Sequence, residues 1–203
     1  MVYKVIPMIQ TQSNEKKSIH LDAIFSSHPH GVEVSLGDFQ SSQETYTVFY
    51  AKNITTGLCV MMYDAPAKVG GMAHVILPDS EFQQTQTSGL KKPLDDSQYK
   101  ACYADIAIPQ LWEALEALGA SVENTHCTLV GGSQLFTFGG GRGNPLNIGA
   151  RNAITARTTL SRMGLTVKHT EIGGSRPRSA VLMLNDGRIF VQSKGGDTIQ
   201  AGG

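Results

Sequence analysis

The sequence predicts an α+β fold in which mixed and antiparallel β-sheets are layered together and helices pack on the outside. Two hairpin patterns and two amphipathic helix patterns lead to this prediction. The 203 residues suit one compact domain with an extension. Apolar residues make up 40% of the chain and charged residues 17%, below the roughly 25% typical of soluble proteins. This composition indicates a well-buried core.

The charge balance and the cysteine pattern exclude several classes of protein. The 17 Lys and Arg residues balance 17 Asp and Glu residues, so a nucleic-acid partner is not expected. No apolar run approaches the roughly 18 residues that a membrane span requires, and the N-terminus lacks the pattern of a secretory signal. Three cysteines without a C-x-x-C pair are typical of free thiols: Cys59, Cys102 and Cys127. We therefore expect a cytoplasmic protein that does not insert into membranes.

The first predicted hairpin follows an N-terminal extension, residues 1–44, whose structure the pattern leaves uncertain. Residues 46–50 alternate as in a strand, and residues 58–63 form an apolar run suited to a strand buried on both faces. Residues 64–68 have turn chemistry around a proline, and residues 69–78 read as the return strand. The pattern therefore predicts two adjacent antiparallel strands.

A polar loop and the first helix are predicted next. Residues 79–96 have the composition of an exposed loop. Ser97 is a candidate cap for a helix whose apolar residues recur every three or four positions as far as Gly119. Pro109 lies inside this pattern and predicts a kink or a boundary near Ile108.

The second helix is predicted from Asn147, as its N-cap, to Gly164. Residues 126–130 form a short strand candidate before it, and a glycine-rich loop follows that strand. We expect the buried face of this helix to carry four apolar side chains: Ile148, Ile154, Leu160 and Met163.

The second predicted hairpin lies near the C-terminus. Its arms are residues 180–184 and 188–191, and the Asn185-Asp-Gly187 connection between them is a strong turn signal. Residues 195–203 read as a flexible tail because they are small and polar.

Neither a cofactor nor a metal site is predicted. The loop at residues 139–143 is rich in glycine but lacks the ending of a phosphate-binding loop and the spacing of a dinucleotide fingerprint. Six histidines show no ligand spacing with cysteines or carboxylates. Cys102 and Cys127 are best interpreted as core residues.

Cys59 and His74 form the main candidate for chemistry. If residues 64–68 form a turn, the two side chains stand on adjacent strands of one hairpin, which brings a thiol against an imidazole. Taken alone, this placement favours the plainer interpretation, in which the cysteine is inert core and the histidine is hydrogen-bonded.

A series of motifs resembles the CheD family. The motifs occur in the order and approximate spacing of that family: Val69-Gly-Gly-Met-Ala-His-Val-Ile-Leu-Pro78, Tyr103-Ala-Asp105, Leu118-Gly-Ala120, Leu129-Val-Gly-Gly132, Asn147-Ile-Gly-Ala-Arg-Asn152 and Gly173-Gly-Ser-Arg-Pro-Arg178. The resemblance covers residues 45–194, which we treat as the CheD-like domain. It implies a fold similar to that of the cysteine deamidase toxins.

The resemblance implies a function in bacterial chemotaxis. CheD proteins convert glutamine side chains of methyl-accepting chemoreceptors to glutamate with release of ammonia, and some bind the phosphatase CheC. It further implies a cysteine nucleophile and a histidine base, and no cofactor. His74 matches the family's histidine directly.

The sequence departs from the family at the nucleophile. An alignment without gaps from His74 places Gly57 at the nucleophile position, and the family's orienting threonine falls on Ala51. On a rigid strand, Cys59 would be displaced by about 6.6 Å, and His74 would lack a thiol. Alternatively the loop before the strand is two residues shorter, Cys59 occupies the working position, and Thr55 orients His74.

Three functional hypotheses follow. The first is a CheD-like deamidase with Cys59 as nucleophile, His74 as base and Thr55 in support. The alternative is a CheD-fold protein of the chemotaxis system that binds without catalysis. The third is a cysteine hydrolase with an unrelated substrate.

Overall fold

The computed structural model describes Leu21, Phe25 and residues 28–81, 98–134 and 147–203. Three sequence predictions lie wholly or mostly outside these residues: the loop over residues 79–96, the capping role of Ser97 and the glycine-rich loop at residues 139–143. Within the described residues, no helix is long and apolar enough to span a membrane.

The described elements are ten strands and two helices. In chain order they are β1 (Gly31–Glu33), β2 (Phe39–Ser42), β3 (Val48–Ile54), β4 (Leu58–Asp64), β5 (Val69–Val75), α1 (Ala104–Glu116), β6 (Thr125–Gly131), α2 (Ile148–Arg162), β7 (Thr166–Ile172), β8 (Arg178–Met183), β9 (Ile189–Ser193) and β10 (Thr198–Gly202). One sheet has the order β1-β3-β8-β9-β10 and the other β2-β5-β4-β6-β7. Each sheet contains one parallel pair, β1 with β3 and β6 with β7, among antiparallel neighbours.

Two apolar layers hold these elements together. Between the sheets, alternate residues of β4 and β5, such as Met61 and Met72, pack with residues of the first sheet such as Phe49 and Leu182. On the opposite face of the second sheet, the other residues of β4 pack against both helices, with Leu111 and Leu160 in the same cluster. The predicted α+β class, with layered sheets and outer helices, is confirmed.

The first predicted hairpin is also confirmed. Strands β4 and β5 pair without a register shift from Leu58↔Val75 to Asp64↔Val69, and every residue of both strands is buried. The Asp64 carboxylate stabilises the turn by accepting the Ala67 N–H at 2.9 Å, and it ties the hairpin to the chain after α1 by accepting the Ser121 N–H at 2.8 Å.

The first helix begins later than its apolar pattern indicates and does not break at its proline. Helix α1 starts at Ala104 after Tyr103 as its N-cap residue, and it continues through Pro109 to Glu116. Residues 98–103 precede it as turns and irregular backbone. The missing N–H of Pro109 removes one helical hydrogen bond, but the burial of Ile108 and Leu111 against the sheet keeps the helix continuous.

The second helix confirms its predicted cap and corrects its predicted face. Asn147 Oδ1 accepts the Ala150 N–H at 3.0 Å. Ile154, which we expected in the core, is 64% exposed. Six residues turn a helix by about 600°, so Ile154 lies roughly 120° away from Ile148 and Leu160. The buried face instead consists mainly of small residues, together with Leu160: Gly149, Asn152, Ala153 and Ala156.

Strands also form within the N-terminal extension and within the predicted tail. Residues 195–203 were expected to form a flexible tail, but β10 pairs with β9 in antiparallel fashion and Ala201 is buried. In the N-terminal extension, β1 pairs with β3 and β2 pairs with β5. Backbone hydrogen bonds to strands further along the chain order β1 and β2. A hairpin with β9 across residues 194–197, which we did not predict as a turn, orders β10. The predicted C-terminal hairpin forms as β8 and β9.

We expect Gly149→Ala to destabilise the protein by about 1–3 kcal/mol, although alanine is the better helix former. A Cβ atom at position 149 would lie 2.5 Å from the Gly132 carbonyl oxygen, and both partners are backbone. Urea denaturation measures the change in the free energy of unfolding. Thr158→Ala, at an exposed position of the same helix, serves as the control and should change it by less than about 0.5 kcal/mol. Equal stability of both variants would contradict this packing.

Candidate functional site

The candidate site lies near the open end of the β4–β5 hairpin. Cys59 and His74 are direct register partners in the antiparallel ladder. Directly opposed residues project from the same face of a sheet, with Cβ atoms about 5 Å apart. That face is the one turned towards the first sheet, because Cys59 packs with Ile54 and Met61 in the layer between the sheets. The structure therefore brings the two predicted residues together.

The Cys59 thiol is fully buried. Burial raises its pKa well above the ordinary value, since desolvation disfavours the thiolate. Val130 on β6 is its register partner on the other side and shares the same apolar cluster. In this arrangement Cys59 is a neutral thiol among apolar side chains.

The His74 imidazole is also buried, with 4% of the residue exposed. Burial lowers its pKa to about 4, while a backbone interaction with Val34 acts in the opposite direction. Its Nδ1 atom has no hydrogen-bond partner among the described residues. Thr55, which we expected to orient this ring, directly follows β3. Its carbonyl oxygen accepts the Ser133 N–H at 2.7 Å. The ring is neutral at pH 7, and it is held by packing and by its backbone interaction with Val34.

Gly57 is the position from which a side chain would point at the imidazole. A Cβ atom there would lie 3.4 Å from His74 Nε2. It would also lie 2.8 Å from the Val75 carbonyl oxygen and 2.9 Å from Leu36 Cδ1. Strand β4 begins at Leu58, so Cys59 is the second residue of the strand and does not lie in the loop before it. This geometry agrees with the ungapped alternative, in which Gly57 replaces the family's nucleophile.

Three consecutive carbonyl groups fix the segment before β4. The carbonyl oxygens of residues 55, 56 and 57 accept hydrogen bonds from Ser133 N, Asn152 Nδ2 and Gly132 N at 2.7, 2.8 and 2.8 Å. Asn152 Nδ2 also donates to the Ile76 carbonyl oxygen at 3.0 Å. The sequence reasoning did not assign a role to Asn152, although it ends one of the motifs that carry the family resemblance.

The chain between β1 and β2 lies against this site. The Gly37 N–H donates to the His74 carbonyl oxygen at 2.7 Å, and the His74 N–H donates to the Asp38 carbonyl oxygen at 2.9 Å. Leu36 is 51% exposed, and its Cδ1 lies 2.9 Å from the place that a Cβ atom at position 57 would occupy. The N-terminal extension thus covers the histidine from one side.

A groove of about 750 Å³ begins at Gly132, next to Gly57, and runs along the N-terminal part of α2. Its walls include Ile154, Arg157 and the loop that begins at Gly173. Arg178 supports that loop, because its Nη1 donates to Ser133 Oγ at 2.9 Å and to the Gly173 carbonyl oxygen at 2.7 Å.

In the described part of the chain, no three His, Cys, Asp or Glu side chains are grouped so that they could hold a metal ion. The groups that the structure brings together at this site are the thiol, the imidazole and backbone groups. Acyl transfer from a carboxamide is the reaction that such groups can perform.

Comparison with known proteins identifies the relatives of the chain. The family model for CheD, described as chemotactic sensory transduction, matches residues 76–193 and so begins two residues after His74. The probable chemoreceptor glutamine deamidase CheD of Clostridium acetobutylicum is 34% identical over 146 residues, which cover 70% of this chain and 81% of the relative. The protein of the same name from Archaeoglobus fulgidus is 33% identical over 167 residues, which cover 81% of this chain and 94% of that relative.

The chemoreceptor glutamine deamidase CheD of Thermotoga maritima is 35% identical to this chain over 147 residues. The aligned region covers 70% of this chain and 82% of that protein. The similarity therefore extends over most of each relative.

We expect the burial of His74 to make the protein less stable in acid. Its pKa is about 4 in the folded protein and about 6.5 when unfolded, so the unfolded chain binds more protons between these values. The free energy of unfolding should fall by roughly 3 kcal/mol between pH 7 and pH 4 from this group. Urea denaturation across this range, with His74→Gln as the comparison, measures it. An equal loss of stability in both proteins would show that His74 is not the cause.

Proposed function

Because the chain belongs to the CheD family, we propose that it deamidates glutamine side chains of chemoreceptors, forming glutamate and ammonia. The family match and the curated relatives, which are named as chemoreceptor glutamine deamidases, support the substrate class. The structural observation that carries the proposal is the direct pairing of Cys59 with His74 in one ladder. This pairing places a thiol and an imidazole side by side, and covalent amide hydrolysis requires these two groups within hydrogen-bond reach of each other.

In the proposed reaction, His74 accepts the Cys59 proton and the sulfur attacks the carboxamide carbon. The carbon–nitrogen bond breaks, the imidazolium protonates the departing ammonia, and a thioester remains. His74 then takes a proton from water, whose oxygen attacks the thioester carbon. The carbon–sulfur bond breaks, the sulfur regains a proton, and glutamate is released.

The resting structure holds this pair in its unreactive protonation state. Burial raises the pKa of the thiol and lowers the pKa of the imidazole, whereas nucleophilic attack needs a thiolate. We propose that receptor binding displaces the segment around Leu36, which would expose His74 and raise its pKa towards the ordinary value.

The proposal places the protein in the chemotaxis system, with chemoreceptors as its partners. It further includes action in the cytoplasm, where the free cysteines would stay reduced. A CheC-like phosphatase as a second partner rests on family membership, and co-purification from cells that contain both proteins tests it.

A second function, binding to chemoreceptors without catalysis, is favoured by the surroundings of Gly57. A side chain at that position would meet His74 Nε2, but glycine offers no nucleophile. The thiol two residues later is fully buried. In this function the CheD fold would serve only to present a surface that binds chemoreceptors.

Deamidation can be measured with a purified chemoreceptor cytoplasmic fragment by ammonia release and by peptide mass. We expect Cys59→Ala and His74→Ala each to reduce the rate by about 10²-fold or more, because each removes a group that the chemistry requires. Cys127→Ala is the matched control, since Cys127 is an equally buried cysteine on β6, and it should retain activity.

The other outcomes separate the two functions. Full activity in Cys59→Ala would exclude this thiol from the mechanism. A wild-type protein that binds the receptor fragment but leaves every glutamine mass unchanged would exclude the deamidase and support the binding function.

A further inference from the structure

We infer that Asn152 is a positioning residue, which closes the open end of the β4–β5 hairpin and thereby holds Cys59 opposite His74. Its Nδ2 atom donates to the carbonyl oxygens of Thr56, at 2.8 Å, and Ile76, at 3.0 Å. The inference rests on the proposed function for its catalytic meaning, but the structural role can be tested without a substrate.

The two hydrogen bonds of Asn152 lie just beyond the last residue pair of the β4–β5 ladder. The pairing of β4 with β5 ends at Leu58↔Val75. Beyond that pair, the N–H groups of Ile76 and Leu77 donate to the Cys102 carbonyl oxygen, so the chain after β5 turns away from β4. The Asn152 amide joins the two diverging segments in place of ladder hydrogen bonds.

Asn152 is fully buried, so the loss of its two hydrogen bonds would leave buried polar groups unsatisfied. The buried Nδ2 group donates to two carbonyl oxygens, while Asn152 Oδ1 has no hydrogen-bond partner among the described residues. Removal of the side chain leaves two backbone oxygens without these partners. Thr56 lies three residues before Cys59, and Ile76 lies two residues after His74. One side chain therefore restrains both segments that flank the pair.

The helix that carries Asn152 is itself fixed against the same segment. A Cβ atom at Gly149 would lie 2.5 Å from the Gly132 carbonyl oxygen, which shows how closely α2 approaches the end of β6. The Gly132 N–H in turn donates to the Gly57 carbonyl oxygen at 2.8 Å. This close backbone contact sets the position from which the Asn152 amide points.

Native-state alkylation with iodoacetamide, read for each cysteine by peptide mass, tests the inference. In Asn152→Ala, local opening of the hairpin end should increase the labelling rate of Cys59 relative to Cys127 by about tenfold. Cys127 is the internal reference because it pairs with Met62, further along β4. Asn147→Ala, which removes the α2 cap, is the control and should leave this ratio unchanged while lowering thermal stability.

A second variant and two further outcomes complete the test. If the alanine variant does not fold, Asn152→Ser replaces it in the experiment. The ratio of Cys59 labelling to Cys127 labelling should rise in the same way. If Cys59 and Cys127 labelling rise together in the folded Asn152 variant, as they would through global unfolding, Asn152 has no positioning role. Absence of deamidation by the wild-type protein would overturn the proposed function while leaving this labelling ratio to decide the role of Asn152.

Discussion

The burial of one hairpin on both faces is the constraint on which the rest of the structure depends. Strands β4 and β5 lie in the middle of the second sheet, flanked by β6 and β2, and all of their residues are buried. Their alternate side chains supply the layer between the two sheets and the layer beneath the helices. Most side chains of this hairpin are apolar, so an ionisable group among them, such as His74, is desolvated.

That constraint determines the chemistry of the candidate site. Desolvation shifts the pKa values of Cys59 and His74 in the directions that oppose a thiolate–imidazolium pair. The same close packing brings the Val75 carbonyl oxygen and Leu36 against Gly57. The family's chemistry therefore requires either a change in the cover over His74 or a function that does not use this thiol, and the two proposed functions correspond to these cases.

Parts that lie far apart in the sequence meet around the hairpin end. The segment between β1 and β2 covers His74, α2 contributes Asn152, and the end of β6 contributes the N–H of Gly132. Several motifs that resemble the family thus supply backbone contacts and support rather than reacting groups. Gly132 and Gly149, which belong to two of these motifs, stand where the backbone segments approach too closely for a Cβ atom.

The sequence by itself determined the features that arise within a few residues. The turn at residues 64–68 fixes the register that sets Cys59 opposite His74, the Asn-Asp-Gly connection forms the second hairpin, and Asn147 caps α2, because turn and capping preferences act locally. Tertiary structure alone decided the exposure of Ile154, the pairing of β2 with β5, the cover over His74 and the bridge made by Asn152. Each depends on which distant backbone or helix face docks at a given place, and this is set by packing between segments rather than by the pattern within one.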